Sequence, residues 1–200
     1  MQMYNTIDFE NHLCQGDIIV DLELKLIADF EPKEYFKGIL ILTYTCDLVP
    51  EQDPVEFINF CPIFSLDCMI KPMIDIYTEK FRTKKNPSKE INEVIKRKLN
   101  DICNYKRKNI FFLISDEVLD NEDCYANLEQ IYSVGIDDVE SLLNNRKASL
   151  QSPWIEKLGF KIGYCFNRIA LPDTPLEHIE NLFESKYLTL IQDKIEKEEF

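Results

Sequence analysis

The sequence predicts an α+β fold: a small, mostly antiparallel sheet, a basic helical insertion and a helical C-terminal third. Three observations predict it. Continuous or alternating apolar runs crowd the first 70 residues, and turn-forming strings such as "PEQDP" (50–54) separate them. From Ile91 to Cys103, and again from Trp154 to Ile169, apolar residues instead recur at intervals of three and four. At 200 residues, 45% apolar and 12% aromatic, the chain can bury a core and reads as a single domain over 1–200.

Each element has its own signal. "GDIIVDLELKLI" (16–27) starts as an apolar run and then alternates at Val20, Leu22, Leu24 and Leu26. "KGILILTYT" (37–45) is aliphatic and β-branched throughout, as a strand buried on both faces would be. "VEFINFCPIF" (55–64) follows a short turn, so the second and third strands should be antiparallel neighbours. Asn86-Pro87 supplies an N-cap and a first helical residue for the stripe Ile91, Val94, Ile95, Leu99, Ile102 and Cys103. "NIFFLI" (109–114) and "ANLEQIYSV" (126–134) read as the last strands, so strands occupy 16–70 and 109–134 and the helical insertion 80–108.

The C-terminal helices are placed at 137–195. Asp137-x-x-Glu140 has the form of a capping box. Ser152-Pro153 opens a helix with Trp154, Leu158, Ile162, Cys165, Phe166 and Ile169 on one stripe, closed by Leu171-Pro172. Thr174 to Glu177 is a second capping box, opening a helix that runs to about Lys194.

Several function classes are excluded by pattern. Five glycines and no GxGxxG or GxxxxGK[ST] leave no phosphate loop. No apolar run is long enough to span a bilayer, and "MQMYNTIDFEN" lacks the basic start of a secretory signal, so a cytoplasmic chain with no membrane contact is expected. Seven cysteines, an odd number without a CxxC, read as reduced core thiols; with two histidines, no metal and no cofactor are expected.

Charge is the largest compositional signal. Net charge is −13, yet residues 80–108 hold eleven of the 23 Lys and Arg against three acids, giving +8 there and −21 elsewhere. Lys84, Lys85, Lys96, Arg97, Lys106 and Arg107 are the candidate contacts. Three uses remain open: an acidic protein partner, nucleic acid with Phe81 and Tyr105 stacking on bases, or the protein's own acidic surface.

A second candidate is the strand end "GILILTYTCDL" (38–48). In a continuous strand Thr43, Thr45 and Asp47 share one face, and Tyr44 and Cys46 the other. Either the hydroxyls cap nearby backbone groups or they floor a polar pocket with Asp47 as base or ligand. A nucleophilic Cys46 would need His12 or His178 beside it. Trp154, the only tryptophan, reads as core packing or as a stacking platform.

"QGDIIVDLEL", Lys37–Leu42 and "INFCPIFSL" (58–66) resemble, in that order, the three strand motifs of the PemK/MazF/CcdB toxin family: Gly-Asp-Ile/Val, Arg-Pro plus aliphatics, and Pro-Ile/Leu-Thr-Ser. The resemblance covers about residues 15–70 and implies a small SH3-like barrel. It also implies ribonuclease chemistry from an arginine and a threonine or aspartate. Here Lys37-Gly38 stands at the Arg-Pro position and Phe64 at the hydroxyl position; lysine lacks the bidentate fork of arginine, and phenylalanine carries no proton. "ILTYTCDL" and "SLQSPWIEKLGFKIGYCFNRIALP" are also similar to an uncharacterised bacterial family with an LTQxCDL-like strand and a late PWRExL…RVGLP-like helix. Such proteins often look like accessory parts of defence modules. Both resemblances favour a contact between Asp47 and Arg168.

The functional expectation is a non-catalytic interaction subunit of a bacterial toxin–antitoxin or anti-phage assembly, with a protein partner and homo-oligomerisation left open. The alternatives are a divergent endoribonuclease using Lys37, Asp47 and Arg168, and a small-ligand or nucleotide sensor with its pocket at Thr43–Asp47.

Overall fold

The computed structural model describes residues 3–6, 12–20, 32–48 and 55–166, which lie in a contact unit closing at Phe166. Among them, eight strands form one antiparallel sheet: β1 (Tyr4–Asn5), β2 (Asp17–Ile19), β3 (Phe36–Ile41), β4 (Phe57–Ser65), β5 (Ile110–Leu113), β6 (Cys124–Asn127), β7 (Tyr132–Gly135) and β8 (Arg146–Leu150). Four helices accompany it: α1 (Asp67–Phe81), α2 (Pro87–Cys103), α3 (Val139–Asn144) and α4 (Trp154–Phe166). The fold is α+β.

The strand order is β1-β8-β2-β3-β4-β6-β5, with β7 also on β4. β3 is apolar on both faces because both are covered. Leu40 packs with Ile63, Phe111, Ala148 and α4 residues Leu158 and Ile162, while Ile39 and Ile41 pack with Phe60, Ile102 of α2 and Leu142 of α3. The sheet is thus a central layer between α4 on one side and the other helices on the other.

The sheet curls, and its two end strands meet through side chains. Tyr4 on β1 donates its hydroxyl proton to the carbonyl of Ile114, just past β5, at 2.6 Å. Tyr105 donates to the Phe112 carbonyl at 3.1 Å, and the ammonium of Lys161 on α4 donates to the Ile110 carbonyl. Residues 110, 112 and 114 alternate along the strand, so these are the carbonyls that β6 does not use. An edge strand that would otherwise template another chain is capped by two phenols and an ammonium.

Four sequence expectations are corrected. The strand expected over 37–45 ends at Ile41, because the chain turns at Thr43 and Thr45–Leu48 form a 3-10 turn. The strand expected over 126–134 is two, β6 and β7, which pair with different halves of β4. Pro62, which has no N–H to give, falls at the changeover between them. Asp67–Phe81, of which 67–70 is expected as strand, is the helix α1 with Pro72 inside it, and Arg146–Leu150, expected within the helical third, is a strand between β1 and β2. The expected C-terminal helix from Thr174 lies outside the described residues, as do the alternating positions 21–27.

Candidate functional site

Lys37 leaves β3 toward the loop before β6. Its ammonium donates to Asp120 Oδ2 at 3.0 Å and Glu122 Oε1 at 2.8 Å, and the side chain is only 14% exposed. Burial pulls its pKa down, but its hydrogen bonds to both carboxylates outweigh this and hold it above the ordinary lysine value. The same bond from Lys37 lowers the Glu122 pKa. A lysine enclosed by two carboxylates is poorly placed to receive a phosphate. Beside it, Gly38 has φ +148°, and a Cβ there would run into the Ile19 carbonyl oxygen. Proline, with φ near −65°, has no access to that conformation.

The Thr43–Asp47 corner is tied to two neighbours. The backbone N–H of Asn59 donates to Thr43 Oγ1 at 2.7 Å, and the N–H of Gln15 to Thr45 Oγ1 at 3.1 Å. Gln15 Nε2 donates to the Leu42 carbonyl at 2.8 Å. Both threonine hydroxyls therefore cap backbone amides where β3, β4 and the 12–16 turn converge. Cys46 and Asp47 are exposed, with Cys46 Sγ 3.5 Å from Asp47 Oδ1; among the described residues neither meets a histidine. Arg168, and so the Asp47–Arg168 contact, lies outside the described residues. Trp154 begins α4 and packs, half-buried, on the core.

An ion pair that pattern reading missed lies beneath this corner. Asp17 is fully buried; its Oδ2 accepts from Arg146 Nη1 at 2.9 Å and from the Cys14 N–H at 2.8 Å, and its Oδ1 accepts from Ser149 Oγ. Arg146 also donates to the His12 carbonyl at 2.8 Å. A bulge between Ile18 and Ile19 sets Arg146, in place of Lys147, opposite Ile19 and brings its guanidinium to Asp17. The pair locks β2, β8 and the 12–17 turn together.

No family model, curated protein or solved structure matches this chain.

The remaining candidates lie on α1 and α2, a helical hairpin that leaves the sheet. Ile102 alone is fully buried on α2, while Ile91, Val94, Ile95 and Leu99 are half-buried where it runs against α1. Lys89 pairs loosely with Glu93, and Lys106 with Asp101, at 3.9 and 3.7 Å. Lys84, Lys85, Lys96 and Arg97 are exposed and make no ion pair among the described residues. Arg107 is half-buried, and its Nε is buried with no hydrogen-bond partner among the described residues. The structure therefore separates the sequence candidates into spent cations and unspent ones. Arginine and lysine counts alone cannot make that distinction.

Proposed function

We propose that this chain is a non-catalytic interaction subunit that engages an acidic partner protein through the α1–α2 hairpin. The observation that carries the reading is that Lys84, Lys85, Lys96 and Arg97 stand in solvent on the hairpin, unpaired among the described residues, while the body of the protein is strongly acidic. Exposed charges of one sign raise the electrostatic potential around them and steer an oppositely charged surface toward them.

The reading also takes the curled sheet as a degenerate PemK/MazF-like, SH3-like barrel serving as a platform, within a bacterial toxin–antitoxin or anti-phage assembly; the motifs at 15–70 are its support. Against the endoribonuclease alternative stand the carboxylate clamp on Lys37 and the apolar Phe64, which is buried in the core.

Labelled poly-L-glutamate serves as the probe of an acidic protein surface. The wild type should bind it at low salt and release it as salt rises. A variant with Lys84, Lys85, Lys96 and Arg97 all changed to Gln should lose that binding. Equal binding by the two proteins would overturn the reading.

A further inference from the structure

The sheet has a second edge, at β7, which pairs with β4 and with no other strand among the described residues. Its register sets Phe57 opposite Gly135, Ile58 opposite Val134, Asn59 opposite Ser133 and Phe60 opposite Tyr132. The Ile136 N–H donates to the Glu56 carbonyl at 3.0 Å, so 56 and 136 are a hydrogen-bonded pair, and by alternation 58 with 134 and 60 with 132 are the next two. Asn59 agrees with this phase. Its carbonyl accepts from the Leu42 N–H at 2.8 Å and its N–H donates to Thr43 Oγ1, both just past β3. The backbone N–H groups of Ser133 and Gly135 therefore point away from β4, and neither meets an acceptor among the described residues.

The two edges differ. The free carbonyls of β5 are taken by Tyr4, Tyr105 and Lys161, whereas β7 reads Tyr-Ser-Val-Gly, with neither a charge nor a proline to blunt it. Directly opposed residues share a face, so Gly135 lies beside Phe57. Phe57 is 57% exposed, and a Cβ on Gly135 would meet nothing within 4 Å. An apolar side chain on a strand laid along β7 would cross that space to the Phe57 ring.

The surroundings of this edge are acidic. Residues 109–145 hold nine Asp and Glu and no Lys or Arg. Glu129 precedes β7, Asp137 and Asp138 follow it, and Glu56 is tied beside it through Ile136. All four are exposed, and none makes an ion pair among the described residues.

We infer that β7 takes an added strand from a partner protein: an extended basic segment whose Lys or Arg residues alternate with apolar ones, one of which sits over Gly135 against Phe57. Main-chain hydrogen bonds to Ser133 and Gly135 supply the affinity, and the acids flanking the edge select the basic sequence. The inference does not rest on the hairpin reading, because it uses another surface of opposite charge.

The test titrates the full chain into a fluorescein-labelled heptapeptide of alternating lysine and valine, read by anisotropy. The peptide should bind, and more weakly as salt rises. The same peptide with every backbone nitrogen methylated keeps its charge and loses its donors, and should bind at least about tenfold more weakly. Gly135→Pro is the matching change in the protein. Gly135 already has φ −65°, the value proline holds, and it follows a residue in extended conformation. The variant should melt at or above the wild-type temperature. It should also lose roughly tenfold in peptide affinity, because the outward N–H is gone and the ring stands in the path of the added strand. Phe57→Ala should weaken binding, and Asp137→Asn with Asp138→Asn should flatten its salt dependence. The inference is overturned if the peptide does not bind, or if methylation or Gly135→Pro leaves the affinity unchanged. A Gly135→Pro protein that melts well below the wild type would also overturn it, by showing that this N–H is spent within the chain. So would a wild type that sediments as a dimer and becomes monomeric in Gly135→Pro, since a second copy would then hold the edge.

Discussion

The sheet and the hairpin treat the same residue types in opposite ways. In and against the sheet, three basic side chains that reach the interior are consumed: Arg146 by Asp17, Lys37 by Asp120 and Glu122, and Lys161 of α4 by two carbonyls. On the hairpin Lys84, Lys85, Lys96 and Arg97 stand exposed, and the ion pairs of α2 among the described residues, Lys89–Glu93 and Asp101–Lys106, are loose and involve none of them. Buried cations need partners because desolvation is expensive, and exposed ones need none. The difference therefore separates charge that holds the fold from charge left over for another molecule.

If that separation is correct, mutations should sort by region. The largest effect should come from Arg146→Met, which strands the buried Asp17 carboxylate; urea unfolding should show a loss of about 3–5 kcal/mol. Changing Asp17→Asn in the same protein should recover part of it, since the two residues are coupled.

Gly38→Ala should rank next, at about 1–3 kcal/mol, because the new methyl group meets the Ile19 carbonyl and the backbone must leave its positive φ. A result near zero would mean that β2 and β3 can shift apart at the bulge.

Lys161 tests the sealed edge through pH. Burial lowers its pKa to about 8 from an ordinary 10.5, helped by Lys157 and opposed by Cys165. Between those two values the unfolded chain binds a proton that the folded chain has released, so this residue makes stability rise with pH across that window. Denaturation of wild type and Lys161→Met at pH 7 and pH 10 should show the wild type gaining on the variant at the higher pH. A wild type that loses stability relative to the variant between pH 7 and pH 10 would contradict the burial of a charged ammonium there.

Lys37→Gln should cost less than these, on the order of 1 kcal/mol, because Asp120 and Glu122 can return to water when the lysine is gone. It should also leave long single-stranded RNA as intact as the wild type does; fragments made by the wild type and missing from the variant would revive the endoribonuclease alternative.

The sequence made some of this legible. Asn86-Pro87 and the stripe to Cys103 located α2 because capping and periodicity are local signals, and the doubly buried β3 was visible as an unbroken aliphatic run. Trp154, Leu158 and Ile162 likewise marked the inward face of α4. The Asp17–Arg146 pair was hidden, since its partners lie 129 positions apart and a bulge decides that Arg146, in place of Lys147, lies opposite Ile19. The one local hint was an aspartate placed directly before Ile18 and Ile19 in an apolar run. Lys161 was hidden for a similar reason, because its role depends on a carbonyl left open by strand order. Lys37 and the hairpin lysines looked alike in sequence; only the packing of the 120–122 loop separates them.

The smallest expected effect is also the most direct test of the division between structural and spare charge. A protein with Lys84, Lys85, Lys96 and Arg97 all changed to Gln should be followed by thermal melting beside the wild type, at low and at high salt. Exposed substitutions of this kind each shift stability by less than about 0.5 kcal/mol, so the two melting curves should nearly coincide at both salt concentrations. A large drop in Tm that shrinks at high salt would contradict the division, because it would show that the hairpin charges are spent on the protein's own acidic surface.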